Sequence, residues 1–226
     1  MRVRWFALGL ILTFGCTSLP VPVPSETPTT NEKPEAAVEL DPLTLAADCL
    51  ARGDEPAAAN HFEAYVCRNP DQLMFRVHLA DLLFKIHRAD DARHHYERFI
   101  ADAQDSTGTP QSRLVHCHTR LMEIAQEADD RFAELFHRGV GLAILTRQES
   151  DDPETREEIL CKAITTLVEA KNLRPSDPRV CVYLAEAHER AGNRRAADAA
   201  RAAARNKLTP QGLTSNELRQ LELTRP

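Results

Sequence analysis

The chain repeats itself at a period of 34 residues. Leu45-Ala46, Gly53, Ala58, Phe62, Tyr65 and Pro70 return one period later as Leu79-Ala80, His87, Ala92, Tyr96, Phe99 and Gln104. A period of that length, carried by apolar and small residues, constrains the chain to stacked helical pairs, each burying its face against the next. Leu45 and Cys49, then Ala58, Phe62 and Tyr65, fall at three- and four-residue steps, so each set makes one apolar helix stripe. Ala46 and Ala58 are small where antiparallel helices cross, and Ala92 and Ala197 take the same place in other copies. Gly53 sits at the turn, where a left-handed backbone costs glycine little. Asn69-Pro70 stops the second helix, because proline lacks an N–H and disfavours the helical region for the residue before it.

The pattern resembles the tetratricopeptide repeat (TPR), although the family's leading tryptophan is missing and the chain's one tryptophan is Trp5. Further copies of the second-helix signature fall at offsets of 70 (Ala128, Phe132, Leu135) and 105 residues (Ala163, Leu167, Ala170, Pro175). A last copy at 139 has Leu184-Ala185, Gly192, Ala197 and Ala204, with Arg201 in an aromatic's place. The resemblance covers most of 39–211 and implies an all-α fold, a right-handed superhelix of helix-turn-helix repeats. Residues 127–157 are irregular. Arg131 to Gln148 reads as one long helix or two short ones broken at Gly139-Val140-Gly141, and Asp152-Pro153 as the start of the next.

Residues 1–15 form a second block. Arg2 and Arg4 precede an apolar run from Trp5 to Phe14, about ten residues long, whereas a bilayer span needs about 20. It suits a secretory signal, and Gly15-Cys16 at its end resembles the bacterial lipoprotein signal. That resemblance implies cleavage before Cys16 and acylation of the cysteine, although Thr13 stands where the family prefers leucine. An ordinary cleaved signal or a hydrophobic anchor is the alternative. Thr17-Ser18, without an aspartate, implies a periplasm-facing lipoprotein of the outer rather than the inner membrane. Residues 16–41 alternate proline with valine and then turn to Ser, Thr, Glu and Pro. Such a segment favours polyproline II and cannot bury enough surface to fold, which reads as a tether, with a proline-motif docking site as the other reading. The repeats then occupy 42–211, and 212–226 is a capping helix or tail.

A formal net charge of −6 argues against a nucleic-acid partner. The basic cluster Arg190, Arg194, Arg195, Arg201, Arg205 and Lys207 reads as a solvated face on the last pair or an anion site. Cys49, Cys67, Cys117, Cys161 and Cys181 make no CxxC and read as buried small hydrophobes. Antiparallel geometry separates Cys49 from Cys67 beyond disulfide reach. His116-Cys117-His118 and His94-His95 point to different sides of a helix, and His87, Asp91 and His94 share a face without a fourth ligand. No GxSxG, phosphate loop, HExxH or c-type haem motif occurs, so neither an enzyme nor a cofactor is expected.

The expected function is therefore protein recognition by a membrane-anchored adaptor or scaffold in a bacterial envelope. A metal-binding or redox lipoprotein using the histidines and cysteines is the alternative from another class, and a structural cell-wall element is a third. In TPRs the first helix of each pair lines the concave groove. By spacing, its inward face is Leu43, Ala47 and Leu50, then Met74, Val77, Asp81 and Phe84. Arg113, Cys117 and Arg120 continue it, with Val182, Glu186 and Glu189 in the last pair. Such a groove, apolar toward the N-terminus and charged beyond, suits an amphipathic helix or extended peptide anchored by large apolar side chains. Packing of Leu43 and Leu50 inside an irregular first repeat is the other reading.

Overall fold

The computed structural model describes residues 41–103, 109–147, 152–207 and 213–222. The signal segment, Cys16 and the tether to residue 40 lie outside the described residues, as do Gln104 and residues 149–151 of the acidic stretch. Every described element is an α-helix: α1 (Pro42–Ala51), α2 (Glu55–Arg68), α3 (Leu73–Lys85), α4 (Ala89–Ala103), α5 (Gln111–Glu127), α6 (Arg131–Leu145), α7 (Pro153–Leu173), α8 (Pro178–Arg190), α9 (Arg194–Arg205) and α10 (Ser215–Glu222).

One turn, used four times, defines the repeat. Gly53, His87, Asp129 and Gly192 all have left-handed backbones, with φ of 75°, 62°, 55° and 75°. At each, the next residue's N–H reaches back five residues to a carbonyl, as in Asp54 to Cys49, Arg88 to Leu83, Asp130 to Ala125 and Asn193 to His188. The left-handed residue's own N–H reaches back three residues, completing a Schellman motif that satisfies the carbonyls at the helix end. The residue after each turn opens the second helix. The Asp54 and Asp130 side chains accept from the N–H groups of Ala57 and Ala133. His87 is thus a turn residue rather than one end of a ligand stripe, and α1/α2, α3/α4, α5/α6 and α8/α9 are the pairs.

These turns correct the third register. Ala128 does not occupy the crossing point that Ala58 occupies; it is exposed and ends α5. The α5 helix has 17 residues, against 10 in α1 and 13 in α3, which pushes the turn toward the C-terminus. In that register Glu134 stands opposite α5 where Ala58, Ala92 and Ala197 pack with no exposure in the other pairs. Its carboxylate, 8% exposed as a residue, is satisfied by Gln126, Arg131 and Arg138 at 3.0, 2.7 and 2.7 Å. The hydrogen bonds from Gln126 and Arg131, with the charges of Arg131 and Arg138, hold it below the ordinary carboxylate range.

Residues 131–145 form one helix, and Gly139 and Gly141 lie within it. A Cβ on Gly139 would meet Leu167 Cγ of α7 at 2.7 Å, so glycine sets how closely α6 and α7 approach. The α6 helix consequently lies between α5 and α7, tightly packed on both. The α7 helix opens at Asp152-Pro153, with Asp152 accepting from the N–H of Glu154, and buries Ala163, Leu167 and Ala170. It has no Schellman-turned partner. Beyond it, α8 runs parallel to α6. Their C-terminal ends are joined by Arg147 and Glu186, Arg190 donates to the Thr146 carbonyl, and Phe136 meets Tyr183 edge-on.

A continuous core runs from Cys49 through Tyr96, Phe99, Leu121, Phe136 and Leu167 to Ala200. A smaller cluster of Cys181, Val182, Ala204 and Leu221 lies where α10 packs on α8 and α9. Thr214 and Glu217 cap α10 reciprocally: the Thr214 N–H donates to the Glu217 carboxylate, and the Glu217 N–H to the Thr214 hydroxyl.

Candidate partner-binding surface

The first-helix face is partly open and partly spent on internal contacts. On α1, Ala47 and Leu50 are exposed, Leu50 at 42%, and Leu43 is half-buried. Leu50 therefore does not pack inside the first repeat. On α3, Met74 and Phe84 are half-buried and pack against the core edge. Val77 is completely buried and leaves the surface, because the neighbouring pairs close over it.

Asp81, Phe84 and Arg120 are brought together. The Asp81 carboxylate accepts from the Tyr96 hydroxyl at 2.6 Å and pairs with His116 Nε2 at 2.7 Å; Arg120 Nε lies 3.9 Å away. The Arg120 guanidinium lies 5.2 Å over the Phe84 ring and donates to Glu123 at 2.8 Å. Burial first, and then the bond to Asp81, raise the Tyr96 hydroxyl well above its ordinary pKa, so it remains a donor. Asp81 is thus a structural carboxylate joining α3, α4 and α5, while Phe84 and Arg120 stay half-exposed above it.

Four other groove residues change role. Cys117 is buried, and burial followed by the nearby Asp81 charge pushes its thiol up to about 12, which leaves it protonated and unreactive at neutral pH. Arg113 falls outside the repeated face once α5 is set by its turn; Thr119, Glu123 and Gln126 hold the positions of Leu43, Ala47 and Leu50. The displaced turn at Asp129 was the signal, disguised by its not being glycine. Glu186 is bound by Arg147 through two 2.7 Å bonds and by Arg190 at 3.2 Å. Breaking a largely buried pair of this kind costs about 3–5 kcal/mol, so Glu186 joins α6 to α8 and is not free to meet a partner. Val182 is covered by α10.

Among the described residues no group of three or more His, Cys, Asp or Glu is placed to hold a metal. Cys49, Cys117 and Cys181 are buried free thiols, whereas Cys67 and Cys161 are exposed, contrary to their expected burial. His118 and His137 face each other between α5 and α6, Nδ1 to Nδ1 at 3.1 Å. Burial, with Arg147 adding to it, lowers His118 to about 3. Burial, His118, Arg179 and Arg93 together lower His137 well below its ordinary value. Both rings are neutral at physiological pH, and one Nδ1–H donates to the other.

Of the terminal basic residues, Arg201 is buried against Glu189 and Asp198, Arg190 is used at α6, and Arg205 donates to the Leu221 carbonyl. Arg194 and Arg195 remain exposed at the start of α9.

A second concavity lies between α4, α6 and α8, in two adjoining lobes of about 190 Å³ each. Phe132 and Phe136 are stacked in it, with centroids 6.0 Å apart and planes 8° from parallel. Arg174 lies 4.2 Å over Phe132 and Arg179 4.9 Å over Phe136.

No family model and no curated protein matches the chain. Among solved structures it is similar to two crystal structures of MamA. One is at 15% identity and TM-score 0.39, covering 72% of this chain and 94% of that one; the other is at 16% and 0.40, covering 74% and 89%. It is also similar to a thermophilic TPR protein of Thermus thermophilus at 21% identity and TM-score 0.36, covering 81% and 80%. The repeat assignment stands on the four turns and the register they set: this is an all-α, TPR-like helical repeat protein.

Proposed function

We propose that the chain is a lipid-anchored adaptor that holds a partner protein at a bacterial envelope membrane. The observation that carries the reading is a stack of Schellman-turned pairs whose first helices leave Ala47 and Leu50 exposed and Phe84 half-exposed. A repeat protein presents such a face to another chain, and large apolar side chains at its open positions are where binding energy concentrates. Cys16 is the acylated first residue of the mature chain, the tether separates repeats from membrane, and the protein faces the periplasm from the outer membrane. Among the described residues no helix is long and apolar enough to cross a membrane; the reading of Cys16 as the anchor is supported by Gly15-Cys16 at the end of the apolar run. Two or three acyl chains, at about 0.8 kcal/mol per buried CH₂, suffice for stable attachment.

Two experiments test the two halves. Photocrosslinking residues placed at Leu50 and Phe84 in the native host should capture one common protein, and the same residue at Val168 on α7 should not. Phe84→Ala should weaken that capture at least tenfold, about 1.4 kcal/mol, with the thermal melt retained; full capture by a well-folded variant removes the site. Cys16→Ala should release the protein from membranes or leave an unprocessed precursor, and a variant processed and retained like the parent refutes the anchor.

A further inference from the structure

The concavity between α4, α6 and α8 has no part in the first-helix face. We propose that it binds an extended acidic segment of a partner protein, with acidic side chains two residues apart engaging Arg174 and Arg179. This deepens the reading as a protein-binding array and is independent of the lipid anchor.

The argument begins with how the guanidiniums are held. The guanidinium carbons lie 4.2 Å over the Phe132 ring and 4.9 Å over the Phe136 ring, and a cation already held over an aromatic face loses little freedom when it takes a carboxylate. One edge of each is already fixed. Arg174 gives Nη2 to Asp130, and Arg179 gives Nε and Nη2 to Asp177. That leaves Nε and Nη1 of Arg174 and Nη1 of Arg179 for a ligand.

Spacing selects the ligand. The two platforms are rings 6.0 Å apart, and alternate side chains of an extended strand lie about 6.6 Å apart on one face. Charge agrees. His137 borders the same lobe, and the Arg179 and Arg93 charges oppose a positive charge on its ring. An anion entering the cleft relieves that field. Glu97, exposed on the α4 wall, opposes it and limits affinity, as do Asp130 in the same lobe and Glu217 in the adjoining one.

The full chain is titrated, by fluorescence anisotropy, with labelled peptides that differ only in their cores. A Glu-Gly-Glu core should bind at least tenfold more tightly than Gln-Gly-Gln. It should also bind severalfold more tightly than Glu-Gly-Gly-Glu, which turns the second acid to the other face. Arg174→Gln with Arg179→Gln should abolish that preference. Arg174→Lys with Arg179→Lys, which keeps the charges and their acidic mates, should weaken binding severalfold with an unchanged melt. Glu97→Gln should tighten it, and saturating peptide should raise the NMR-measured pKa of His137. Equal affinity for the Gln peptide, or undiminished binding by both double variants, overturns the proposal. Inorganic phosphate competing as well as Glu-Gly-Glu reduces the cleft to a general anion site and also overturns it. Failure here leaves the crosslinks at Leu50 and Phe84 untouched, and failure of those crosslinks leaves this titration standing.

Discussion

Two glycines two positions apart in α6 should respond to the same substitution with opposite sign. In a helix interior, Gly→Ala contributes about 0.8–1.0 kcal/mol of stability through backbone entropy. At Gly141 the added methyl meets only His118 Cβ at 3.6 Å, an ordinary contact, so nearly the whole gain should appear. At Gly139 it falls 2.7 and 2.8 Å from Leu167 Cγ and Cδ2, with the Leu167 backbone N at 3.4 Å. Leu167 has no exposure, so its side chain can give way only into the packed interior. Overpacking of that kind costs about 1–3 kcal/mol, so Gly139→Ala should be destabilising by up to about 2 kcal/mol after the propensity gain is subtracted. Urea denaturation followed by far-UV circular dichroism measures both. A double-mutant cycle then assigns the cause. Leu167→Ala alone should cost about 2–5 kcal/mol, and Gly139→Ala added to it should cost nothing or stabilise, a non-additivity expected of residues in contact. If Gly139→Ala stabilises as much as Gly141→Ala, the α6–α7 approach described above is wrong.

The left-handed turns give a second expectation. His87→Gly and Asp129→Gly should each stabilise the fold by up to about 1 kcal/mol, read from the denaturation midpoint, since a left-handed backbone costs other residues about 1–2 kcal/mol and glycine's looser unfolded state returns part of it; Gly53→Ala and Gly192→Ala should lower the midpoint. A third concerns Glu217, which is 3% exposed and whose carboxyl burial pushes above the ordinary value against the opposing Thr214 bonds and Arg179 charge. A raised acid favours the fold when protonated, so α10 docking should be strongest below about pH 4.3, the free glutamate pKa, and weaken as pH rises through the folded value. Glu217→Gln keeps the cap and removes that dependence: amide exchange in α10 should match the parent at low pH and be slower than the parent at neutral pH, and equal exchange at both would sink the reasoning.

What could be read from the residues follows from what each position demands. Gly53 and Gly192 advertise their backbone, and Ala58, Ala92 and Ala197 advertise a close crossing, so the first, second and last pairs were legible. His87 and Asp129 adopt the same left-handed turn without the residue type that signals it. At Asp129 the longer α5 also moved the turn, so the third register was misplaced and Arg113 was put on a face that belongs to Thr119, Glu123 and Gln126. The exposed Leu50 and half-exposed Phe84 were legible from spacing, because helix periodicity alone puts them on the outer face. Asp81 and Glu186 were not, since their bonds come from helices 15 to 39 residues away. The cleft was invisible for the same reason, its two rings being adjacent on α6 but its arginines arriving from beyond α7.

The lone α7 has a consequence for how this array can be lengthened or cut. Helical pairs are even units: adding or deleting one returns the backbone to the side it left. A single helix is an odd unit, and everything after it runs the other way. Removing α3/α4 with their linkers would preserve the heading of all later helices, whereas removing α7 would reverse α8 and separate Glu186 from Arg147. A partner strand laid across α1, α3 and α5 with one polarity would meet α8 with the opposite one, so the chain offers two half-surfaces of opposed direction rather than one continuous track.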